Sequence, residues 1–235
     1  MAPPRATGRE QPSLIRPDAV ALQKRAAAKA AADEVLDGMS VGLGTGSTVA
    51  PLLSELAGRR LRDVRYVATS PATEQAARSL GLTLLALDDM AELDLAVDGA
   101  DQIDPYGWLI KGGGAAHTRE KIIAVAARRF VVIASADKAV QELSPPVPLE
   151  LLSFGVFTTL AELGDARLRE VPLSPDGGLI ADYFGSIDDP RSLAARLAET
   201  PGVVEHGLFA PKLVSEILIA RPEGVERRAG ARPAS

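Results

Sequence analysis

Between Met39 and Ala134, apolar runs of four or five residues alternate with stretches that read as helix. Strands are expected at Met39–Leu43, Val64–Ala68, Leu82–Ala86, Leu93–Val97, Gly107–Ile110 and Phe130–Ala134. Helices are expected from Pro17-Asp18 to about Leu36, after the Gly44–Thr48 stretch to about Ala57, over Pro71–Leu80 and over Thr118–Arg128. Short strands separated by helices specify a mostly parallel α/β sheet, because parallel neighbours need a crossover and the crossover is usually a helix. In such sheets ligands bind beyond the carboxyl ends of the strands. Gly44–Thr48, Asp98–Asp101 and Lys111–Gly114 each follow an expected strand end, so they should converge in space.

The pattern changes at Pro145-Pro146-Val147-Pro148. Beyond it the expected order is strand (Val147–Leu151), helix (Phe154–Leu163), strand (Ala166–Val171), strand (Gly178–Asp182), helix (Pro190–Ala198) and strand (Val203–Phe209). This β-α-β-β-α-β order reads as a small ferredoxin-like unit. Ser215–Ala220 is expected to return to the first sheet, and the tail beyond Pro222 is short and charged. The reading is a Rossmann-like domain over residues 17–144 and 211–228, and a ferredoxin-like lid over 145–210. Residues 1–16 are polar and Pro-rich and are expected to be disordered.

Composition narrows the function. The 235 residues are 46% hydrophobic and 24% charged, an ordinary globular balance. The net charge is −5 and aromatics are 4%, so there is neither the basic surface nor the stacking platform that nucleic acid needs. With no cysteine, disulfides, thiolate nucleophiles and Cys-built metal sites are excluded. No apolar run approaches the roughly 20 residues of a membrane span; the best, Ile122–Ala136, is cut by Arg128 and Arg129. The first residues lack the apolar centre of a signal peptide, and a cytoplasmic location is the expectation.

Chemistry concentrates between Asp94 and Lys121. Asp98 and Asp101 flank Gly99-Ala100, Lys111 leads Gly112-Gly113-Gly114, and Glu120 falls in the opening turn of a helix. Two acids so close can share a pocket, or can serve only the local turn; Asp104, before Pro105, is expected to do the latter. Lys111 can reach an anionic oxygen or lie solvated on the surface. Glu120 can be a functional acid or a carboxylate favoured by the helix dipole. Upstream, Gly42-Leu43-Gly44-Thr45-Gly46-Ser47-Thr48 turns from a strand into a helix, which suits a phosphate monoester or a tight turn without ligand. The dinucleotide spacing G-x-G-x-x-G fails, since its third glycine falls on Ser47 or Val49, and no Gly-Lys-Ser/Thr completes a nucleotide P-loop. The two histidines, His117 and His206, make no metal signature. His117 is expected to be an exposed loop residue, with substrate contact as the alternative.

Five motifs in order, V-G-L-G-T-G-S-T, T-S-P-A-T-E, D-G-A-D-Q-I-D, I-K-G-G-G-A-A-H-T-R-E-K and P-G-V-V-E-H-G-L-F-A, resemble ribose-5-phosphate isomerase of the A type over about Ala21–Val225. The pairing of D-G-A-D with K-G-G-G-x-x-x-T-x-E-K is the specific part. The resemblance implies interconversion of D-ribose 5-phosphate and D-ribulose 5-phosphate in the non-oxidative pentose phosphate pathway, without cofactor or metal, by a homodimer or dimer of dimers. It implies Glu120 as catalytic base through an enediolate, with Lys111, Asp98 and Asp101 at the sugar end beside Gly99, Ala100, Gly112, Gly113 and Gly114. Thr45, Gly46, Ser47 and Thr48 are implied to take the phosphate, with Lys138 and Lys24 as further substrate contacts.

Three positions depart from the family pattern. Gln102 stands where the family has an acid, Ser135-Ala136-Asp137-Lys138 exchanges an acid and a hydroxyl, and His117 replaces a leucine. Three rivals compete: a non-catalytic sugar-phosphate sensor, an amino-sugar-phosphate deaminase and a dinucleotide dehydrogenase. The presence of Glu120 and Lys111, the shortage of histidines and the glycine spacing weigh against them in turn.

Overall fold

The computed structural model describes residues 17–232, so the disorder expected over residues 1–16 lies outside the described residues. Six strands form the central sheet: β1 (Ser40–Leu43), β2 (Arg65–Ala68), β3 (Leu93–Gly99), β6 (Ala127–Ser135), β12 (Glu216–Arg221) and β13 (Gly224–Ala229). Their order is β13-β12-β6-β3-β1-β2, parallel throughout except for the β12–β13 hairpin. α1 (Pro17–Ala32) precedes β1, and the crossovers from β1 to β2, β2 to β3 and β3 to β6 run through α2 (Val49–Arg59), α3 (Pro71–Ser79) and α4 (His117–Ala126).

Side chains alternate across this sheet. Val41, Leu43, Leu95, Val97, Val131, Ile133 and Leu218 pack with α1 and α2 on one face. Leu93, Ala96, Phe130, Val132, Ile217 and Ile219 pack with Ile123 and Ala124 of α4 on the other. Both faces are dry, which is why the strands read as nearly continuous apolar runs. The buried stripe of α1 is Ala27, Ala28, Ala31 and Ala32, small residues at helical spacing that let the helix lie close on the sheet. It ends four residues before the expected Leu36. The bonds from Glu34 N to Ala31 O and from Val35 N to Ala32 O tighten the last turn, and Gly38 at φ +81° reverses the chain.

The second unit comprises β7 (Val147–Leu151), α5 (Val156–Leu163), β8 (Ala166–Leu168), β9 (Leu179–Tyr183), α6 (Pro190–Glu199) and β10 (Val203–His206). Its sheet, β10-β7-β9-β8, is antiparallel throughout. The chain is therefore α/β, with a Rossmann-like parallel sheet and a smaller ferredoxin-like α+β unit.

Four expectations from the sequence need correction. Leu82–Ala86 is no strand: a single bridge joins Leu84 to Tyr66 before a 3-10 turn at Leu87–Asp89. Gly107–Ile110 shortens to β5 (Leu109–Ile110) and leaves the parallel sheet, pairing antiparallel with β4 (Gln102–Ile103) and β11 (Leu208–Phe209). Val203–Phe209 is broken at Gly207, where a Cβ would stand 2.1 Å from the Lys111 carbonyl oxygen; the missing side chain lets the two backbones meet. The charged tail beyond Pro222 contains an edge strand, β13, whose Arg and Glu side chains suit an exposed edge.

Candidate active site

Three loops meet at the carboxyl end of the central sheet, as the strand ends require. Gly44–Thr48 follows β1, Gly99–Asp101 follows β3, and the turn at Ala136–Lys138 follows β6. A fourth, Lys111–Gly114, arrives from β5, which is tied to the end of β3 by the bond from Asp101 N to Ile110 O (2.8 Å). Together they enclose a cavity of about 240 Å³. It is lined by Thr45, Gly46, Ser47, Thr48, Gly99, Ala100, Asp101, Lys111, Gly112, Gly113, Gly114, Glu120, Lys24 and Lys138. Of the catalytic and substrate-binding residues that the resemblance implied, only Asp98 is absent from the wall. A larger groove of about 750 Å³ runs between α4 and the second unit, but its buried acid, Glu150, is already satisfied by the Thr118 and Ser174 hydroxyls.

Asp98 lies behind Lys111. The Lys111 ammonium is 2.8 Å from Asp98 Oδ2 and 3.1 Å from Glu120 Oε2, and the three side chains are only 3–4% exposed. The ammonium also donates to the Gly99 carbonyl at 2.5 Å. Lys111 is therefore no solvated surface lysine, and Glu120 no mere helix-start acid. Asp98 Oδ1 accepts from Gly99 N (2.7 Å) and Thr45 N (3.2 Å), while Oδ2 has the Lys111 ion contact and no other partner. The carboxylate can sit there because Gly44 has no side chain: a Cβ would lie 1.9 Å from Asp98 Cγ.

Two carboxylates and one ammonium share this buried site, and the charges do not balance. Burial and then the Asp98 charge push the Glu120 carboxyl up to about 8 against the pull of Lys111. Burial raises Asp98 too, with Lys111 opposing. Burial disfavours the Lys111 ammonium, but the two acids outweigh it and hold it protonated.

The opposite end of the cavity is hydroxyl-rich and cationic. Lys24 reaches from α1 and donates to Ser47 Oγ at 2.8 Å. Its neighbour Gln23 accepts from Ala136 N at 3.0 Å and so fixes the turn that carries Lys138. Thr48 precedes α2 without capping it through its side chain, and it lines the cavity. Thr45 Oγ1 pairs with Thr69 Oγ1 at 2.8 Å, and Thr73 Oγ1 donates to Gly44 O at 3.0 Å. Sequence reasoning gave no part to Gln23, Thr69 or Thr73. The two threonines did belong to a quoted motif, T-S-P-A-T-E, whereas Gln23 left no signal. Asp101 is exposed at the mouth of the cavity and accepts from Gly113 N at 2.8 Å.

The three departures fall outside the Asp98–Lys111–Glu120 cluster. Gln102 turns away to the backbone of Ser144 (2.8 Å to both N and O). Ser135 Oγ donates to Asp137 at 2.5 Å and leaves Lys138 on the cavity wall. His117 is fully buried at the start of α4 and does not line the cavity, contrary to its expected exposure. Burial and nearby Lys121 depress it to about 4, so it is neutral. Asp104 serves its turn as expected, accepting from Tyr106 N and Trp108 N at 2.8 Å. No helix among the described residues is long and apolar enough to cross a membrane.

Comparison with known proteins agrees with this geometry. Residues 65–224 match the family model of ribose 5-phosphate isomerase A (phosphoriboisomerase A). The chain is 48% identical over 217 residues to ribose-5-phosphate isomerase A of Methanosarcina acetivorans, covering 86% of this chain and 92% of that one. It is also 48% identical over 220 residues to the Caulobacter vibrioides protein of the same name (87% and 96%). The structure of ribose 5-phosphate isomerase A from Methanocaldococcus jannaschii superposes with a TM-score of 0.83 at 34% identity, over 88% of this chain and 98% of that one. A D-ribose-5-phosphate isomerase in complex with phospho-erythronic acid gives 0.85 at 35% identity (89% and 99%). The chain belongs to the ribose 5-phosphate isomerase A family.

Proposed function

We propose that this chain interconverts D-ribose 5-phosphate and D-ribulose 5-phosphate in the cavity above the central sheet, with Glu120 as the proton carrier. The observation that carries the reading is the Lys111 ammonium held 3.1 Å from a buried carboxylate that, at about 8, is basic enough to work near neutral pH. Thr45–Thr48, Lys24 and Lys138 take the phosphate, which anchors the sugar through atoms remote from the reacting carbons. The open-chain aldose then lies with C1 and C2 toward Glu120. Its carboxylate removes the C2 proton and charge develops on O1. Lys111, held by Asp98, turns to that oxyanion the N–H it gave to Glu120, which no longer carries charge once it holds the proton. Glu120 returns the proton to C1, while a proton moves from O2 to O1. One C–H bond breaks and one forms, and no electrons leave the substrate, so the chemistry calls for no redox cofactor.

The two aspartates divide. Asp101, exposed on the cavity wall, is the one able to touch the sugar, and it takes ring opening and the O2-to-O1 proton. Asp98, behind Lys111, positions the ammonium and raises Glu120. A relative's complex with phospho-erythronic acid supports the reading, since a phosphorylated sugar acid presents a planar anion where an enediolate would form.

The same reading includes a cytoplasmic location, suited to a phosphorylated substrate that does not cross membranes. It includes a division into 17–144 with 211–228 and 145–210, and assembly as a homodimer or dimer of dimers. Phe154 and Phe157, 92% and 80% exposed beside Leu152, give an apolar surface for a second copy.

The test is ribulose 5-phosphate formation from ribose 5-phosphate with EDTA present, beside Glu120→Gln. Turnover in the wild type is expected, with a loss of about 100- to 10,000-fold in the variant. Wild-type turnover in Glu120→Gln would remove Glu120 from the base role.

A further inference from the structure

Residues 205–209 hold Lys111 through its backbone and reach Glu120 through its neighbour Lys121. The Lys111 backbone N donates to Gly207 O at 2.8 Å, and Gly207 N donates in turn to Pro148 O at 2.7 Å. Ile110, just before Lys111, pairs with Leu208 across β5 and β11. On the other side, Lys121 directly follows Glu120 in α4. Its ammonium donates to Glu205 Oε1 (2.6 Å) and His206 O (2.7 Å) and approaches His206 Nδ1 (3.3 Å). Both ammonium groups lie against the Phe209 ring, that of Lys111 at 5.5 Å from its centroid and that of Lys121 at 4.8 Å.

Apolar packing alone holds α4 weakly. Ile123 and Ala124 are its buried apolar residues, while Ile122 and Val125 are more than half exposed. Polar ties to the second unit make up the difference: Thr118 to Glu150, Arg119 to Asp176, and Lys121 to Glu205 and His206. The Lys121 tie is the charged one made to the segment that also holds Lys111; there the His117 ring adds a long contact to the Glu205 carbonyl at 3.4 Å.

We propose that Lys121 is a positioning residue for the isomerisation: by fastening α4 to residues 205–209, it sets the separation of Glu120 from Lys111. The proposal rests on Glu120 and Lys111 acting as read above. Lys121 does not line the cavity and its side chain is 14% exposed, so it acts through its neighbours and not on the sugar.

The experiment compares Lys121→Met, Glu205→Ala and the double variant in the full chain. It measures kcat and KM for ribose 5-phosphate and inhibition by inorganic phosphate, beside Glu120→Gln. Misplacing a catalytic group by about an ångström costs on the order of 100-fold. Each single variant should therefore lose about 10- to 100-fold in kcat, with KM and the phosphate inhibition constant within about threefold of wild type. The double variant should lose no more than the worse single, because both break one fastening. Unchanged kcat, multiplicative losses, or a parallel loss of phosphate affinity would each overturn the proposal. If Lys121→Met does not fold, Glu205→Ala, at a side chain 26% exposed, decides the question by the same kcat-against-KM split. Full activity in Glu120→Gln would sink the reading of the base itself, whereas an inactive Glu120→Gln beside a fully active Lys121→Met would sink only the fastening.

Discussion

Glu120 Oε2 lies 3.1 Å from Lys111 Nζ, yet Glu120 is less acidic than a free glutamate. A lone ammonium at that distance would lower a carboxyl. Here burial and the Asp98 carboxylate, which claims the same ammonium, win over Lys111 and lift Glu120 to about 8. Because kcat/KM reports the free enzyme's groups, its acid limb should rise through about pH 8 instead of the ordinary glutamate range. A pH-rate profile with ribose 5-phosphate checks this. A plateau already reached by pH 6 would mean that Glu120 is ionised in the free enzyme, with Asp98 failing to raise it.

The same shift predicts a stability cost. A glutamate ordinarily titrates near 4.5 and Glu120 in the fold at about 8, so the folded chain holds this proton more tightly than the unfolded one. The stabilisation is complete below about pH 4.5 and is lost as pH rises through about 8. Glu120→Gln cannot ionise and leaves Lys111 paired with Asp98. Urea unfolding should show the variant gaining on the wild type between pH 5 and pH 9, by on the order of a few kcal/mol at the upper end. A pH-independent difference would contradict the shift.

Much of this site was legible because several of the residues that build it are also those that local geometry marks. Gly44, Lys111 and Glu120 sit at strand ends or in a first helical turn, and the strand periodicity finds those places. Other features were hidden because non-local packing decides them. Asp98 and Asp101 look equivalent in D-G-A-D. Only the length of β3, which runs to Gly99, puts one acid under Lys111 and leaves the other at the cavity mouth. His117 read as a loop residue because the backbone that its ring meets, at Glu205, is 88 positions away. The strand β13 escaped because an edge strand need not alternate apolar residues, and its register is set by β12. Gln23, on an alanine-rich helix, gave no sign that its amide would cap a turn 113 residues distant.

The phosphate end should be separable from the chemistry. Lys24 Nζ donates to Ser47 Oγ at 2.8 Å, and the pair presents a cation and a hydroxyl to the cavity. Hydrogen bonds to charged groups are worth about 1.5–3 kcal/mol. Lys24→Met and Ser47→Ala should thus raise KM by about 10- to 100-fold, leave kcat within about threefold, and weaken inhibition by inorganic phosphate in parallel. A loss confined to kcat would place the phosphate elsewhere.

Gly44 tests whether the loop and the ion cluster are one device. Its φ is not in the left-handed region, so the backbone conformation would accept alanine. The obstacle is Asp98, whose Cγ would stand 1.9 Å from the new Cβ. Asp98 cannot retreat, because Gly99 N, Thr45 N and Lys111 hold both its oxygens. Gly44→Ala should therefore destabilise the chain by about 1–3 kcal/mol or more through overpacking, and should displace the carboxylate that fixes Lys111. Asp98→Ala added to Gly44→Ala removes the clash while Glu120 still pairs with Lys111. The double variant should unfold at higher urea than Gly44→Ala alone yet remain impaired in turnover. If the double variant were no more stable than Gly44→Ala, the cost would lie in the loop itself and not in the contact with Asp98.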